Sequence, residues 1–232
     1  MLHASLLHSL QALLERTYRM DTGVDDVGSF VIGDRGFRLL YGDGQGMPAA
    51  QARAGSVAGA GARVLVRETG GSVAARIYYP DSLIRRLEDR PPARGLEDAN
   101  IDAFATFVEE LDHFLLLAER VRLGRPVSLL ELEMHANVTK YLVCALFLSA
   151  GRARGKRAPL GAEGRAWLLW HLFEKIVFAE PEPQVQARYR AAARFARRFL
   201  DQLDEAQSPA ARLERLRLFH DATHQEKLAA LA

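Results

Sequence analysis

Three pairs of glutamate and histidine lie at helical spacing in the second half of the chain, and their side chains suit a metal ion. The pairs are Glu110 and His113, Glu131 and His135, and His171 and Glu174. A separation of three or four positions places both side chains on one face of an α-helix. Imidazole nitrogen and carboxylate oxygen are ligands for zinc and for iron. The sequence therefore permits a zinc or iron centre built from facing helices.

The pattern is incomplete when compared with a di-iron helical bundle. Such a bundle needs two Glu-x-x-His segments and two further glutamates, whereas only the segment from Glu110 to His113 has that spacing. Pairs of this kind also form ordinary hydrogen bonds on helix surfaces. In addition, Lys175 would allow His171 and Glu174 to belong to a structural ion pair. A metal-dependent helical-bundle enzyme is therefore the alternative hypothesis and not the first.

An arginine-rich segment is the second candidate site, and it would bind an anion or a nucleic acid. Arg190, Arg194 and Arg197 lie in a stretch with no acidic residue between positions 184 and 198. Such a stretch can neutralise phosphates. However, residues 97–119 contain seven acidic residues and no basic one, so pairing within the molecule would account for both charge blocks. This balance disfavours nucleic acid as a partner.

The composition is that of an ordinary globular protein, and it points to the cytoplasm. Thirty-one basic residues face twenty-nine acidic ones, which leaves a net charge of +2. The single cysteine, Cys144, excludes an internal disulfide. The most apolar run, residues 141–150, is about half of the roughly 20 residues that a membrane-spanning helix needs. We therefore expect no membrane span.

The first part of the chain predicts a helix followed by a small sheet. Leucines at helical spacing indicate a helix over residues 2–19, and alternating apolar residues then predict two hairpins, at residues 30–41 and 64–79. The two glycines Gly70 and Gly71 suit the tight turn of the second hairpin. Residues 42–62 contain six glycines and almost no large apolar side chain, which predicts a mobile loop.

The second part of the chain predicts a bundle of about five helices. Prolines at 91 and 92 interrupt the chain, and helical periodicity continues from residue 100 to the final helix, which Ser208 and Pro209 introduce. Residues 163–179 carry apolar side chains around nearly the whole helix circumference. A helix of this kind belongs at the centre of a bundle.

These patterns predict an α+β protein with an N-terminal part at 1–95 and a helical bundle at 96–232. The N-terminal part holds one helix and an antiparallel sheet of about four strands. Since no complete catalytic constellation is present, the leading functional hypothesis is a non-catalytic interaction or regulatory protein of the bacterial cytoplasm. Its expected partner is another protein or a second copy of the chain.

Overall fold

The chain combines nine α-helices with a small mixed sheet in the part that a computed structural model describes, residues 2–41, 61–152, 160–175 and 182–231. The helices are α1 (Leu2–Tyr18), α2 (Asp34–Tyr41), α3 (Asp81–Asp89), α4 (Ile101–Arg122), α5 (Leu129–Arg152), α6 (Ala162–Leu169), α7 (Pro183–Asp204), α8 (Pro209–Asp221) and α9 (His224–Leu231). The strands are β1 (Val31–Ile32), β2 (Arg63–Thr69) and β3 (Ser72–Tyr78). Short 3-10 helices cover Val27–Phe30 and Pro92–Arg94, and a π-helical turn, Trp170–Glu174, follows α6 directly. The fold is α+β, as the sequence predicts.

The sheet has the strand order β1-β3-β2 and contains the second predicted hairpin. Strands β2 and β3 pair antiparallel, with Val64 opposite Ile77. Gly70 and Gly71 form the turn between them with φ values of 56° and 82°, a left-handed conformation that glycine adopts at little cost. Strand β1 adds only two residues, parallel to β3.

The prediction of four strands is wrong, because the described part of the sheet has three and residues 34–41 form α2 instead of a strand. The backbone N–H of Asp34 donates to Asp81 Oδ1, 3.1 Å away, and the hydroxyl of Tyr78 donates to Asp34 Oδ1 at 2.7 Å. A side chain at Gly33 would meet Asp81 Oδ1 at 2.5 Å. Gly33 therefore leaves room for Asp81 to fix the first turn of this helix. Asp34 and Asp81 are 47 residues apart, so the local alternation of apolar residues does not reveal their contact.

Helices α2 and α4 cover opposite faces of the sheet. Phe37 of α2 packs on Tyr78, with ring centroids 4.5 Å apart. On the other face, the Tyr79 ring stacks on Phe107 of α4 at 4.6 Å, and its hydroxyl donates to the Phe107 carbonyl. Tyr78 and Tyr79 alternate between the two faces, as neighbouring residues of an extended chain do.

Helices α4 and α5 pack antiparallel and hold most of the buried polar groups. Glu109 of α4 contacts Lys140 of α5, whereas Arg120, later in α4, contacts Glu131, earlier in α5. The turn between them uses Gly124, whose φ is 61°, and α5 begins after Ser128, whose hydroxyl accepts a hydrogen bond from the Glu131 N–H.

The helical segment buried on all sides lies in the first half of α5, not in the segment predicted to be central. Every residue from 131 to 140 is buried. The predicted segment divides into α6 and the π-helical turn, where Trp170 is 50% exposed, and residues 176–181 lie outside the described part. Polar residues in α5 obscured its central position, because an apolar circumference is the usual mark of a central helix.

The described bundle beyond residue 95 contains six α-helices, since the predicted last helix is divided into α8 and α9. One core cluster contains buried side chains from both predicted parts, among them Leu10, Ile77, Leu111 and Val138. The boundary at residue 95 stays a prediction. The predicted mobile loop at 42–62 falls almost entirely outside the described residues. No described helix has both the length and the hydropathy needed to cross a membrane.

Candidate metal centre

Five charged or titratable side chains converge between α4 and α5, and together they are named here the carboxylate–histidine cluster. Its members are Glu109, Glu110, His113, Glu133 and Lys140. In α4, His113 lies three and four residues after the two glutamates, so helical spacing places all three side chains close together. In α5, Glu133 and Lys140 are seven residues apart and therefore share one face.

The ligand atoms of this cluster lie close enough to surround one ion. Glu109, His113 and Glu133 each offer one atom, and these atoms all lie within 4.8 Å of one another. Ligands at about 2.1 Å from one ion are separated by roughly 4 Å or less, so small side-chain rotations would bring all three into bonding distance. Among the residues that the structure describes, this is the one group of three with such geometry.

His113 is buried without a hydrogen-bond partner at either ring nitrogen. Its side chain is 1% exposed. Nδ1 lies 3.7 Å from Glu110 Oε2, and Nε2 lies 3.9 Å from Glu133 Oε2. Both distances are too long for hydrogen bonds. Because an unpaired buried polar group is costly, a further partner for these nitrogens and for the equally unpaired Glu110 Oε2 would be stabilising.

The electrostatics of the cluster reflect an excess of carboxylates in a dry environment. Burial lowers the pKa of His113, but Glu110, Glu133 and Glu109 raise it by more, to about 10. Burial raises the pKa of Glu133 to about 7 and also raises the pKa of Glu110. Perturbations of this kind concentrate at functional sites. Without another cation, the cluster must therefore hold protons to limit its negative charge.

Lys140 supplies a positive charge to the same cluster. Its ammonium group donates to Glu109 Oε2 at 2.8 Å, and its side chain is 6% exposed. Burial raises the pKa of Glu109, but the charges of Lys140 and His113 lower it by more, so that the pKa falls below its usual range. Glu109 is therefore ionised and faces the cluster, and with 25% of its side chain exposed it also reaches the surface.

A second buried network lies beside the cluster and joins α4, α5 and α8. We name it the two-histidine chain, and its members are Asp112, His135, His220 and Glu119. Asp112 Oδ2 lies 2.8 Å from His135 Nδ1, and Glu119 Oε2 lies 2.8 Å from His220 Nε2 without forming a directional hydrogen bond. Burial lowers the pKa of His135 in spite of Asp112. The Tyr18 ring packs on both imidazoles, with centroids 4.5 and 5.4 Å away.

Glu131 belongs to a third buried network, with Arg120 and Lys227. Its Oε1 accepts from Lys227 Nζ at 2.7 Å and from Arg120 Nη2 at 3.3 Å. Arg120 Nη2 also donates to the carbonyl of His220 at 2.8 Å. Glu131 therefore joins α5 to α9 and forms ion pairs with two cations, Lys227 and Arg120.

The three predicted pairs thus occupy different surroundings. Glu110 and His113 lie together in the cluster, whereas Glu131 and His135 have separate partners in neighbouring networks. His171, in the π-helical turn, lies 2.9 Å from Asp98 at the start of the bundle. Glu174 is exposed and accepts from Arg197.

The arginines of the predicted anion site contact neighbouring side chains of the same molecule. Arg197 donates to Glu174 at 3.1 Å, Arg190 donates to Gln186, and Arg194 lies over the Phe195 ring. The acidic residues in the middle of α4 contact other partners, as described above. Cys144 is fully buried, and burial raises the pKa of its thiol to about 12.

Glu109 and Glu133 are the two ligand residues of the candidate centre that were not predicted from the sequence. Glu109 lies four positions before His113, the same helical spacing that selected the other pairs. Glu133 lies between Glu131 and His135 in sequence, and all three contact α4, but Glu133 lies beside His113 whereas the other two contact Arg120 and Asp112. The seven-residue spacing of Glu133 and Lys140 was the available signal.

Comparison with protein-family models, with curated proteins and with solved structures finds no significant match to this chain.

Proposed function

We propose that this protein binds one first-row divalent metal ion between α4 and α5, through His113, Glu133 and Glu109, with the Glu110 carboxylate beside the other ring nitrogen of His113. The observation that carries the proposal is His113, which is buried with two unpaired ring nitrogens, each within 4 Å of a carboxylate oxygen. A metal ion would bond to one of these nitrogens and to the carboxylate that faces it, and the other nitrogen would then carry a proton toward the carboxylate on its own side.

The donor set indicates the kind of metal. One imidazole with carboxylate oxygens, and no thiolate, suits zinc, iron(II) or manganese(II). Cys144 does not contribute, because its buried thiol lies outside the group of converging ligand atoms. This site keeps Glu110 and His113 of the metal-dependent helical bundle that the sequence offers as an alternative, but Glu109 and Glu133 replace the other predicted residues, Glu131, His135, His171 and Glu174.

The neighbouring networks support such a centre by holding the two helices in register. Asp112 directly precedes His113 in α4, and His135 follows Glu133 by two residues in α5. Their contact at 2.8 Å is fully buried, so it fixes the relative position of the backbone segments that carry the ligands. Interactions beyond the ligands commonly have this orienting role in metal sites.

Metal analysis of the untagged protein tests the proposal. Protein expressed with added zinc, iron and manganese should contain about one equivalent of metal per chain by elemental analysis. After chelation, Co²⁺ should restore one equivalent and give a visible absorption band. His113→Gln should lose both signals, because the only nitrogen ligand is gone.

A second buried histidine gives the matched control. His171 is 4% exposed and lies outside the cluster, so His171→Gln should keep the metal of the wild-type protein. Substoichiometric metal in the wild-type protein after metal-supplemented expression, together with no Co²⁺ band, would refute the proposal. Equal metal content in the wild-type protein and His113→Gln would refute the assigned ligands.

A further inference from the structure

We infer that Lys140 lowers the metal affinity of the proposed centre: its ammonium group supplies one of the three positive charges that balance the carboxylates, and one divalent ion supplies the other two. The inference rests on the proposed function and adds an affinity-determining residue to it. Lys140 itself binds no metal.

The position of Lys140 is the first observation behind this inference. Its Nζ lies 2.8 Å from Glu109 Oε2, and the other described members of the cluster lie on the same side of α5 as this contact. Glu109 is also one of the three converging ligand residues. A lysine and a metal ion would therefore share one carboxylate, with the lysine on one of its oxygens.

The charge balance is the second observation. The three carboxylates of Glu109, Glu110 and Glu133 carry three negative charges when ionised, and Lys140 carries one positive charge. One divalent ion, bound with a neutral His113, makes the buried cluster electrically neutral. A second divalent ion would leave two uncompensated positive charges, and burying unpaired charge is strongly unfavourable.

Removing the charge of Lys140 should therefore strengthen metal binding. The cluster would keep one negative charge with the divalent ion in place, and Glu109 would lose its competing cation. At the low effective dielectric of a buried site, we expect Co²⁺ to bind about tenfold more tightly, or more. If Lys140 only positioned Glu109, its removal would weaken binding instead.

Co²⁺ titration of the metal-free protein tests the inference. The wild-type protein should bind one Co²⁺ per chain, with no second equivalent in excess metal. Lys140→Gln and Lys140→Met should each bind one Co²⁺, and their dissociation constants should be at least about tenfold smaller than that of the wild-type protein. The matched control is Lys175→Gln, since Lys175 pairs with Asp102 outside the cluster, and it should keep the wild-type constant.

The outcomes separate this inference from the proposed function. If the wild-type protein binds no Co²⁺, the proposed function fails. If it binds Co²⁺ in a manner that depends on His113, but the Lys140 variants bind equally or less tightly, only the role of Lys140 is overturned. A second Co²⁺ in the wild-type protein, lost in His113→Gln, would also overturn it. This last measurement does not depend on whether the Lys140 variants fold.

Discussion

His135 and His220 contact each other through their imidazole rings in the buried interior, with 3.1 Å between Nε2 of the first and Nδ1 of the second, although 85 residues separate them in sequence. Each ring has a carboxylate at its other nitrogen, Asp112 and Glu119 respectively. The contact therefore joins α8 to α4 through α5. It makes the docking of α8 depend on polar partners as well as on apolar packing.

Replacing His220 with leucine should destabilise the protein substantially. Leucine fills part of the space but leaves Nε2 of the buried His135 without a partner and removes the imidazole that lies 2.8 Å from Glu119. Glu119 keeps Arg120 and the Asp21 N–H, so we expect a loss of about 2 to 4 kcal/mol in the free energy of unfolding. Urea denaturation, monitored by circular dichroism, measures this loss in the free energy of unfolding.

The control for this prediction is an exposed histidine. His8 has 62% of its side chain exposed and lies 4.0 Å from Asp26, so His8→Leu should change the free energy of unfolding by no more than about 0.5 kcal/mol. Similar losses in His8→Leu and His220→Leu would contradict the assigned role of the two-histidine chain.

Glu131→Gln should cost more stability than Lys227→Met. Glu131 is the shared acceptor of Lys227 and Arg120, so removing its charge leaves two buried cations facing each other. Lys227→Met leaves Glu131 paired with Arg120. It also removes a buried ammonium group, whose pKa is lowered by its burial. Denaturation of both single variants and of the double variant gives the order of their free energies of unfolding and the coupling energy between Glu131 and Lys227. The reverse order would show that Arg120 does not need Glu131.

The sequence could reveal the polar residues but not their partners. Helical spacing correctly placed Glu110 beside His113, because that pair lies within one helix and obeys its period. The same rule joined Glu131 to His135, which share a helix face yet bind Lys227 and Asp112 respectively. Since these partners come from other helices, only the packing of α4, α5, α8 and α9 decides between them.

Protonation of Asp98, which lies at the start of the bundle, should be detectable in the Trp167 indole resonance. Hydrogen bonds from Trp167 and then His171 lower the pKa of Asp98 below its ordinary value of 3.8. Its ionised form therefore contributes stability above the ordinary pKa, and this contribution disappears as the pH falls through the lower pKa of the folded protein. The indole N–H resonance of Trp167 should shift in that acidic range.

Two further observations check the assignment to Asp98. The variant Asp98→Asn should remove the acidic transition of the Trp167 resonance, because the amide does not titrate. The resonance of Trp170, whose ring packs on His171 and near Lys175, serves as an internal reference. A Trp167 midpoint at or above pH 3.8 would contradict the predicted direction of the pKa shift.

A bound metal ion should stabilise the folded protein by mass action. At a free concentration one hundred times the dissociation constant, Zn²⁺ should add about 2.7 kcal/mol to the free energy of unfolding. Thermal melts of the metal-free protein with and without Zn²⁺ measure the effect. His113→Gln should melt at the same temperature in both conditions, and a Zn²⁺ shift retained in this variant would place the ion elsewhere.

The fold was predictable where the pattern is local and unpredictable where distant contacts decide. Gly70 and Gly71 identify their hairpin because the turn itself requires them. In contrast, Phe37 belongs to a helix that is fixed by Asp81 and Tyr78, and the alternation around it indicated a strand. The central position of α5 was also concealed, since its buried surface carries charges that find their partners only in the folded molecule.

The ion pair between Glu131 and Lys227 has a consequence for synthesis on the ribosome. Glu131 is made 96 residues before Lys227, so α4 and α5 emerge long before α9 is available to neutralise part of their charge. Until α9 is made, Glu131 has Arg120 but lacks its second cation, so burying its carboxylate is less favourable than in the complete fold. The neutralisation of Glu131 is therefore complete only when α9 packs against α5.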